Sequence, residues 1–180
     1  MTTRPRPLID AASIQRRVAG LAREITARYA GEPFLAVCVL KGAFIFFADL
    51  VRQFPESPEV DFVRLASYGA GTSPGASIRF TKDLEADIAG RHVLLVEDIV
   101  DTGHSLRFLV DELTRRGPLS VRICALVDKH ERREAALDVD FVGFRVESGF
   151  IVGYGMDFAE QHRCLNEICE LSPEDVQGKT

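Results

Sequence analysis

The amino-acid sequence predicts one α/β domain whose central sheet is largely parallel. Three observations lead there: strand-length apolar runs at 34–40, 93–96 and 123–127, helical patterns between them, and polar residues gathered just after each run. A run that is apolar on both faces suits a strand covered by helices on two sides, and ligands of such sheets collect beyond the carboxyl ends of the strands. With 180 residues, 46% of them hydrophobic, the chain suffices for one compact core and is short for two, so a single domain over 1–180 is expected.

Taken in order, residues 10–29 place Ile14, Val18, Leu21, Ile25 and Tyr29 three and four apart, one buried face of a helix that Gly31 and Pro33 stop. FLAVCVL at 34–40 is rich in β-formers and ends abruptly at Lys41-Gly42. A second helical pattern carries Phe44, Phe47, Leu50, Val51 and Phe54. VDFVRLASYG at 60–69 reads as a strand running into GAGTSPGAS, whose small residues have no core of their own and are expected to be mobile. VLLV at 93–96 passes into EDIVDTGHS and then a helix with Leu106, Leu109, Val110 and Leu113, closed by Gly117 and Pro118. ICALV at 123–127, the charged loop DKHERRE and short strands around FVGF and FIVGY complete the pattern, and the polar tail at 171–180 is expected to fray.

A formal charge of −5 argues against a general nucleic-acid binder, which needs excess Lys and Arg against backbone phosphates. A phosphorylated small molecule is compatible with that charge, because backbone amides, a metal ion and a few placed cations bind it locally. The cysteines at 38, 124, 164 and 169 form no CxxC pair and read as buried free thiols. MTTRPRPLID lacks an apolar leader segment, and no window approaches about 18 uninterrupted apolar residues. A cytoplasmic protein with no membrane span is expected.

The most informative stretch is VLLVEDIVDTGHS at 93–105, where a buried strand delivers Glu97, Asp98 and Asp101 and then a Thr102-Gly103 turn opening a helix. Such a turn presents unpaired N–H groups at the positive end of the helix dipole and suits a monophosphate. The three acids suit sugar hydroxyls, a hydrated Mg²⁺ or a proton. A plainer reading makes them solvated strand-end charges, with Asp101 or Thr102 a helix cap. Two other nucleotide motifs drop out: GxxxxGK[ST] is absent, and after Gly69-Ala70-Gly71 the third glycine position of GxGxxG holds Pro74.

The 93–105 stretch closely resembles the phosphoribosyl-pyrophosphate signature of type I phosphoribosyltransferases: four hydrophobic residues, two acids, two apolar residues, then Asp-Thr-Gly. Four further segments resemble, in order, the hypoxanthine-guanine branch of that family, so that the resemblance spans roughly 34–168. Leu40-Lys41-Gly42 is similar to its pyrophosphate loop, Ser67-Tyr68-Gly69 to the start of its lid, Asp128-Lys129 to its purine-reading segment, and FIVGYGMDFAEQHR at 150–163 to the strand and turn holding the base and a second metal. Singly, each residue has an ordinary reading: Lys41 solvated, Lys129 paired with Glu131 or Glu134, Phe150 in the core, Arg163 on the surface. Asp157 stands out, because a carboxylate within FIVGYGMDF needs a partner such as a metal. His104, where Lys or Asn is frequent, and Glu147-Ser148-Gly149, where Pro-Asp-acid is usual, depart from the family pattern.

The resemblance implies a mainly parallel sheet flanked by helices, a small hood, and a mobile lid at about 67–78. It implies that hypoxanthine or guanine reacts with phosphoribosyl pyrophosphate to give the nucleotide and pyrophosphate. Asp101 would take the purine proton. Glu97, Asp98, Thr102, Gly103, His104 and Ser105 would hold the phosphoribosyl group, and Glu97, Asp98 and Asp157 would face Mg²⁺. Lys41, Gly42 and Arg163 would bind pyrophosphate, with a cis peptide at Leu40-Lys41. Lys129 would read O6, Phe150 stack on the base, Ile151 meet its edge, and Ser67 and Tyr68 close over it. A homo-oligomer, dimer or tetramer, is implied, with no nucleic-acid or membrane partner. Xanthine or adenine as the base, and an effector-binding regulator of the same fold, are the competing readings.

Overall fold

The computed structural model describes residues 5–68, 77–147 and 149–177. A short strand, β1 (Arg6–Ile9), leads into α1 (Ala11–Tyr29), whose start is capped by the Asp10 carboxylate accepting the Ser13 amide at 2.8 Å. At the other end Ala30 turns left-handed (φ 50°) and returns its N–H to Thr26 O. The expected stripe of Ile14, Val18, Leu21, Ile25 and Tyr29 is buried in full.

Six strands form the main sheet: β2 (Phe34–Leu40), β3 (Glu59–Tyr68), β4 (Ser77–Lys82), β5 (His92–Val100), β6 (Ser120–Asp128) and β7 (Phe141–Arg145). Their spatial order is β4-β3-β2-β5-β6-β7, and every pairing is parallel except β3 with β4. The apolar runs therefore lie mid-sheet. On one face α1 and α2 (Phe44–Val51) cover Ala36, Cys38, Leu94 and Val96; on the other, α3 (His104–Thr114) covers Leu35, Val37, Leu95 and Ile123. A separate antiparallel sheet, ordered β1-β9-β8, comprises β1, β8 (Phe150–Val152) and β9 (Ile168–Leu171), and forms the expected small hood.

Three strands were not expected: β1, β4 and β9 are short and flanked by polar sequence, yet each completes a ladder. The lid bounds contract, since Ser67 pairs with Ile78 and Tyr68 with Ser77 in the β3–β4 ladder; residues 69–76, most of the expected lid, lie outside the described residues. The tail is ordered through Leu171, which pairs with Phe150, and continues as a short helix, α4 (Pro173–Gln177), entered through a Ser172 Oγ that accepts the Asp175 amide at 3.2 Å. Cys38, Cys124 and Cys169 are buried as expected, but Cys164 is exposed in the polar turn after Arg163. Among the described residues no helix is long and apolar enough to cross a membrane.

Leu94 and Leu95 are adjacent, wholly buried, and packed in different clusters on opposite faces of β5. Leu94→Ala and Leu95→Ala should each destabilise the fold by about 2–5 kcal/mol in urea unfolding, whereas a sheet open on one face would tolerate one of them.

Candidate active site

The carboxyl ends of β2, β5 and β6 and the turn after β8 meet at one edge of the sheet. β2 ends in a cis peptide between Leu40 and Lys41, as the resemblance implied. Gly42 follows, and a Cβ there would lie 1.7 Å from Asp98 Oδ2 on β5. From the hood side Gly155 (φ 103°) approaches so closely that its own Cβ would stand 2.0 Å from Gly42 O. Only glycine admits these contacts, and Gly155 also needs its positive φ. The floor of the site is thus Gly155 main chain packed on Gly42 main chain, which in turn lies against the Asp98 carboxylate.

Register explains the next convergence. β5 and β6 pair through Ile99 with Val127 and Val100 with Asp128, and the Lys129 amide donates to Val100 O at 3.0 Å, so Asp101 and Lys129 leave adjacent strands together. Lys129 is 4% exposed; its Nζ donates to Gly149 O at 2.8 Å and stands 3.7 Å from Asp101 Oδ2. Lost hydration pulls the Lys129 ammonium below its ordinary pKa, against the opposing pull of Asp101. Asp101 Oδ1 is a buried oxygen without a hydrogen bond, although Arg132 Nε approaches to 3.1 Å outside hydrogen-bonding alignment. Beside them opens a cavity of about 220 Å³, walled by Ile99, Ile151, Met156 and Asp157, with Phe150 at its mouth. Phe150 is 42% exposed and braced edge-on by Phe158, which leaves a ring face free rather than in the core. A larger cavity, about 290 Å³, lies at the opposite end of the strands between Tyr29, Phe34 and Phe54, away from every one of these groups.

Glu97, half-buried, and Asp98, buried, are neighbours. Lost hydration raises both carboxyl pKa values, and the nearby Asp98 charge drives Glu97 higher still. After them the chain turns at Gly103 (φ 86°) into α3, whose start carries no side-chain cap and leaves its N–H groups open to an anion. His104 Nε2 lies 2.9 Å from Glu134 Oε2. Below this turn lies Arg133, buried and ion-paired with buried Asp128; its Nε donates to Asp101 O at 3.3 Å and its Nη1 to Leu137 O at 3.0 Å. The Glu134 and Ala135 amides both donate to Thr102 O at 3.0 Å. Residues 128–137 therefore clamp the turn that would hold the phosphate.

Residues 9–159 match the family model for the phosphoribosyl transferase domain. The chain belongs to the phosphoribosyl transferase family. It is 43% identical over 176 residues to the hypoxanthine-guanine phosphoribosyltransferase of Mycobacterium avium, covering 94% of this chain and 87% of that one. With the hypoxanthine-guanine phosphoribosyltransferase of Aquifex aeolicus it shares 45% identity over 162 residues, covering 89% and 91%. Among solved structures, a hypoxanthine-guanine phosphoribosyltransferase from Bacillus anthracis superposes with a TM-score of 0.88 at 38% identity, covering 92% of this chain and 98% of that one. A hypoxanthine phosphoribosyl transferase from Trypanosoma cruzi gives 0.91 at 33%, covering 96% and 94%. The type I phosphoribosyltransferase fold, with its mainly parallel sheet and helices, is thereby shown.

Of the expected site residues, Glu97 and Asp98 lie in the last part of β5, Lys41, Gly42, Asp101, Thr102, Gly103, Lys129 and Asp157 on turns after strands, His104 and Ser105 at the start of α3, and Phe150 and Ile151 on β8. Lys129 does not pair with Glu131 or Glu134; its partners are Gly149 O and Asp101. Arg163 is no surface decoration, for it bonds Asp157 Oδ1 at 2.7 Å and donates to Gly155 O at 2.9 Å. Asp157 therefore has an arginine partner. Among the described residues no three acidic, His or Cys side chains form a metal cage, so Glu97, Asp98 and Asp157 are not gathered as one ligand set. The side chains of Ser67 and Tyr68, and the whole of Ser148, lie outside the described residues. Sequence reading missed Arg132, Arg133, Asp128, Gly155 and Glu160; the first three sit in the charged DKHERRE loop, where nothing separates a buried arginine from a solvated one.

A carboxyl whose folded pKa is raised binds more protons folded than unfolded, so its ionisation weakens the fold as pH climbs from the ordinary glutamate range through the folded value. Glu97→Gln should therefore add little stability near pH 4 and progressively more toward pH 8. Urea denaturation of both proteins across that range checks this, and a gain independent of pH would show that Glu97 carries no such penalty.

Proposed function

We propose that the chain transfers the phosphoribosyl group of phosphoribosyl pyrophosphate to hypoxanthine or guanine, forming IMP or GMP and pyrophosphate. The observation that carries this reading is the pairing of a dehydrated Lys129 with Asp101 at the rim of a cavity fronted by the free face of Phe150. The names of the relatives from Mycobacterium avium and Aquifex aeolicus support it.

Each group then has a task. The open N–H groups at Thr102-Gly103-His104-Ser105 hold the 5′-phosphate at the start of α3. Phe150 stacks on the purine and the backbone near Ile151 meets its edge. Lys129 keeps one N–H on Gly149 O and donates another to O6. Asp101, with one carboxylate oxygen lacking a hydrogen bond, accepts the imidazole proton as N9 attacks C1′. Lys41, the Gly42 backbone and Arg163 receive the pyrophosphate as it leaves. Ser67 and Tyr68 lead into the segment that closes over the reaction and excludes water.

The dehydrated Glu97–Asp98 pair fits a divalent cation, because a nearby positive charge would relieve both carboxylates. With no protein cage among the described residues, Mg²⁺ would be held by Glu97 and Asp98 together with water and substrate oxygens, as Mg²⁺ commonly is, and Asp157 would face a second ion. When bound it neutralises charge on the leaving group. A cytoplasmic homo-oligomer belongs to the same reading, and exposed Phe44 and Phe62 on α2 and β3 offer an apolar face for it.

The test is kcat/KM with hypoxanthine, guanine, xanthine and adenine for wild type, Lys129→Gln and Asp101→Asn. Adenine should be disfavoured at least about tenfold, because its 6-amino group faces a donor and leaves both unpaired. Lys129→Gln should narrow that gap, since an amide donates or accepts. Asp101→Asn should lower kcat roughly a hundred- to ten-thousand-fold with phosphoribosyl pyrophosphate affinity nearly unchanged. Wild type accepting adenine as well as hypoxanthine would remove Lys129 as the reader of the base.

Excess EDTA should abolish turnover and Mg²⁺ restore it. Full activity in the chelator would exclude the metal from this account.

A further inference from the structure

We propose that Glu160 is an internal stand-in for pyrophosphate, an affinity-setting residue whose carboxylate occupies the two cations that receive the leaving group and is displaced when pyrophosphate binds. The proposal rests on the reading of Lys41 and Arg163 as the pyrophosphate cations.

Each oxygen of Glu160 takes one of them: Oε1 lies 2.8 Å from Lys41 Nζ and Oε2 lies 3.1 Å from Arg163 Nη2. The cations come from the turn after β2 and the turn after β8, so one carboxylate spans the gap between the sheet and the hood. Two negative oxygens bridging two cations is the pattern that a phosphate group would make there. A glutamate carboxylate is an anion at neutral pH, so it competes for both.

Packing gives no reason for Glu160 to sit there. Its side chain is 65% exposed, and the turn beneath it is unfavourable: Ala159, Glu160 and His162 all take positive φ (50°, 59° and 73°), a region that side-chain-bearing residues avoid. The turn is secured by Glu160 N donating to Asp157 Oδ2 at 2.8 Å and by the contacts of Arg163 with Asp157 and Gly155. Those contacts leave Arg163 anchored when Glu160 lets go. Exposed ion pairs are individually weak, so the carboxylate is strong enough to cover Lys41, and Arg163 alongside Asp157, between turnovers and weak enough to yield to a more highly charged ligand. Product release gains by the same exchange, because Glu160 replaces the departing anion.

The experiment is calorimetric titration of inorganic pyrophosphate, with MgCl₂ present, into wild type, Glu160→Gln and Glu56→Gln. Glu56 precedes β3 at the opposite end of the sheet and controls for the lost negative charge. Removing the two weak ion pairs should tighten pyrophosphate binding roughly three- to tenfold in Glu160→Gln and leave Glu56→Gln like wild type. Pyrophosphate should also become a correspondingly stronger product inhibitor of Glu160→Gln, with KM for the purine unchanged. Equal or weaker binding by Glu160→Gln, or the same gain in Glu56→Gln, overturns the proposal while the pyrophosphate site stands. Wild type that binds no pyrophosphate overturns the site itself, and the proposal with it.

Discussion

The site depends on the close approach of two backbones and one carboxylate. Gly42 after β2 lies against the Asp98 carboxylate of β5, and Gly155 of the hood lies against Gly42 O; a methyl group at either glycine would fall about 2 Å from those atoms. That is well inside any tolerated contact, so a side chain at 42 or 155 would push the hood from the sheet or Asp98 from its place. Because β2 and β5 are held in parallel register through Cys38 and Val96, the sheet cannot yield to relieve such a clash. The hood is further tied to the helices, since Tyr154 donates its hydroxyl to Asp49 on α2, which also accepts from Gln15 on α1 at 2.8 Å. Small residues here mark contact between chain segments rather than slack.

Electrostatics are arranged in the opposite sense, toward discomfort. Glu97 and Asp98 are dehydrated beside one another, and Lys129 is buried with its ammonium disfavoured. Burial of this kind weakens a fold unless the charge is matched. The rest of the molecule absorbs it through the α1 and α2 layer and the α3 layer, each packed on a sheet face through a buried apolar cluster. One buried pair is fully matched: Asp128 with Arg133, whose remaining donors reach Asp101 O and Leu137 O. It sits under the phosphate turn, where rigidity matters, while the mismatched charges face the cavity, where a ligand would complete them.

The main sheet was legible because its central strands are continuous apolar runs: FLAVCVL matches β2 residue for residue. β1, β4 and β9 were not, since RPLI, SIRFTK and ICEL acquire strand geometry from their partners rather than from any pattern of their own. The same divide runs through the site. Glu97, Asp98, Asp101 and Lys129 follow buried strands, and position alone marks them. Arg133 and Glu160 lie in charged, irregular stretches, and what distinguishes them is a partner far away in the chain: Asp101 O for one, Lys41 for the other. Asp157 was expected to need a partner and has one, but it is Arg163, six residues on, because the turn folds back on itself.

The hydrogen bond from Lys129 to Gly149 O bears on how a base would be chosen. An ammonium has three N–H donors and no acceptor, and Gly149 O takes one of the three. On the proposed reading that carbonyl would hold the ammonium in place while another N–H meets a carbonyl at position 6 of a base. An amino group there would place two donors face to face. Gly149 has φ 100°, a region that favours glycine, and directly precedes β8, so the carbonyl that Lys129 meets sits at the start of a hood strand. The aim of the donor that faces a base would thus be set partly by the hood, through the carbonyl that steadies it.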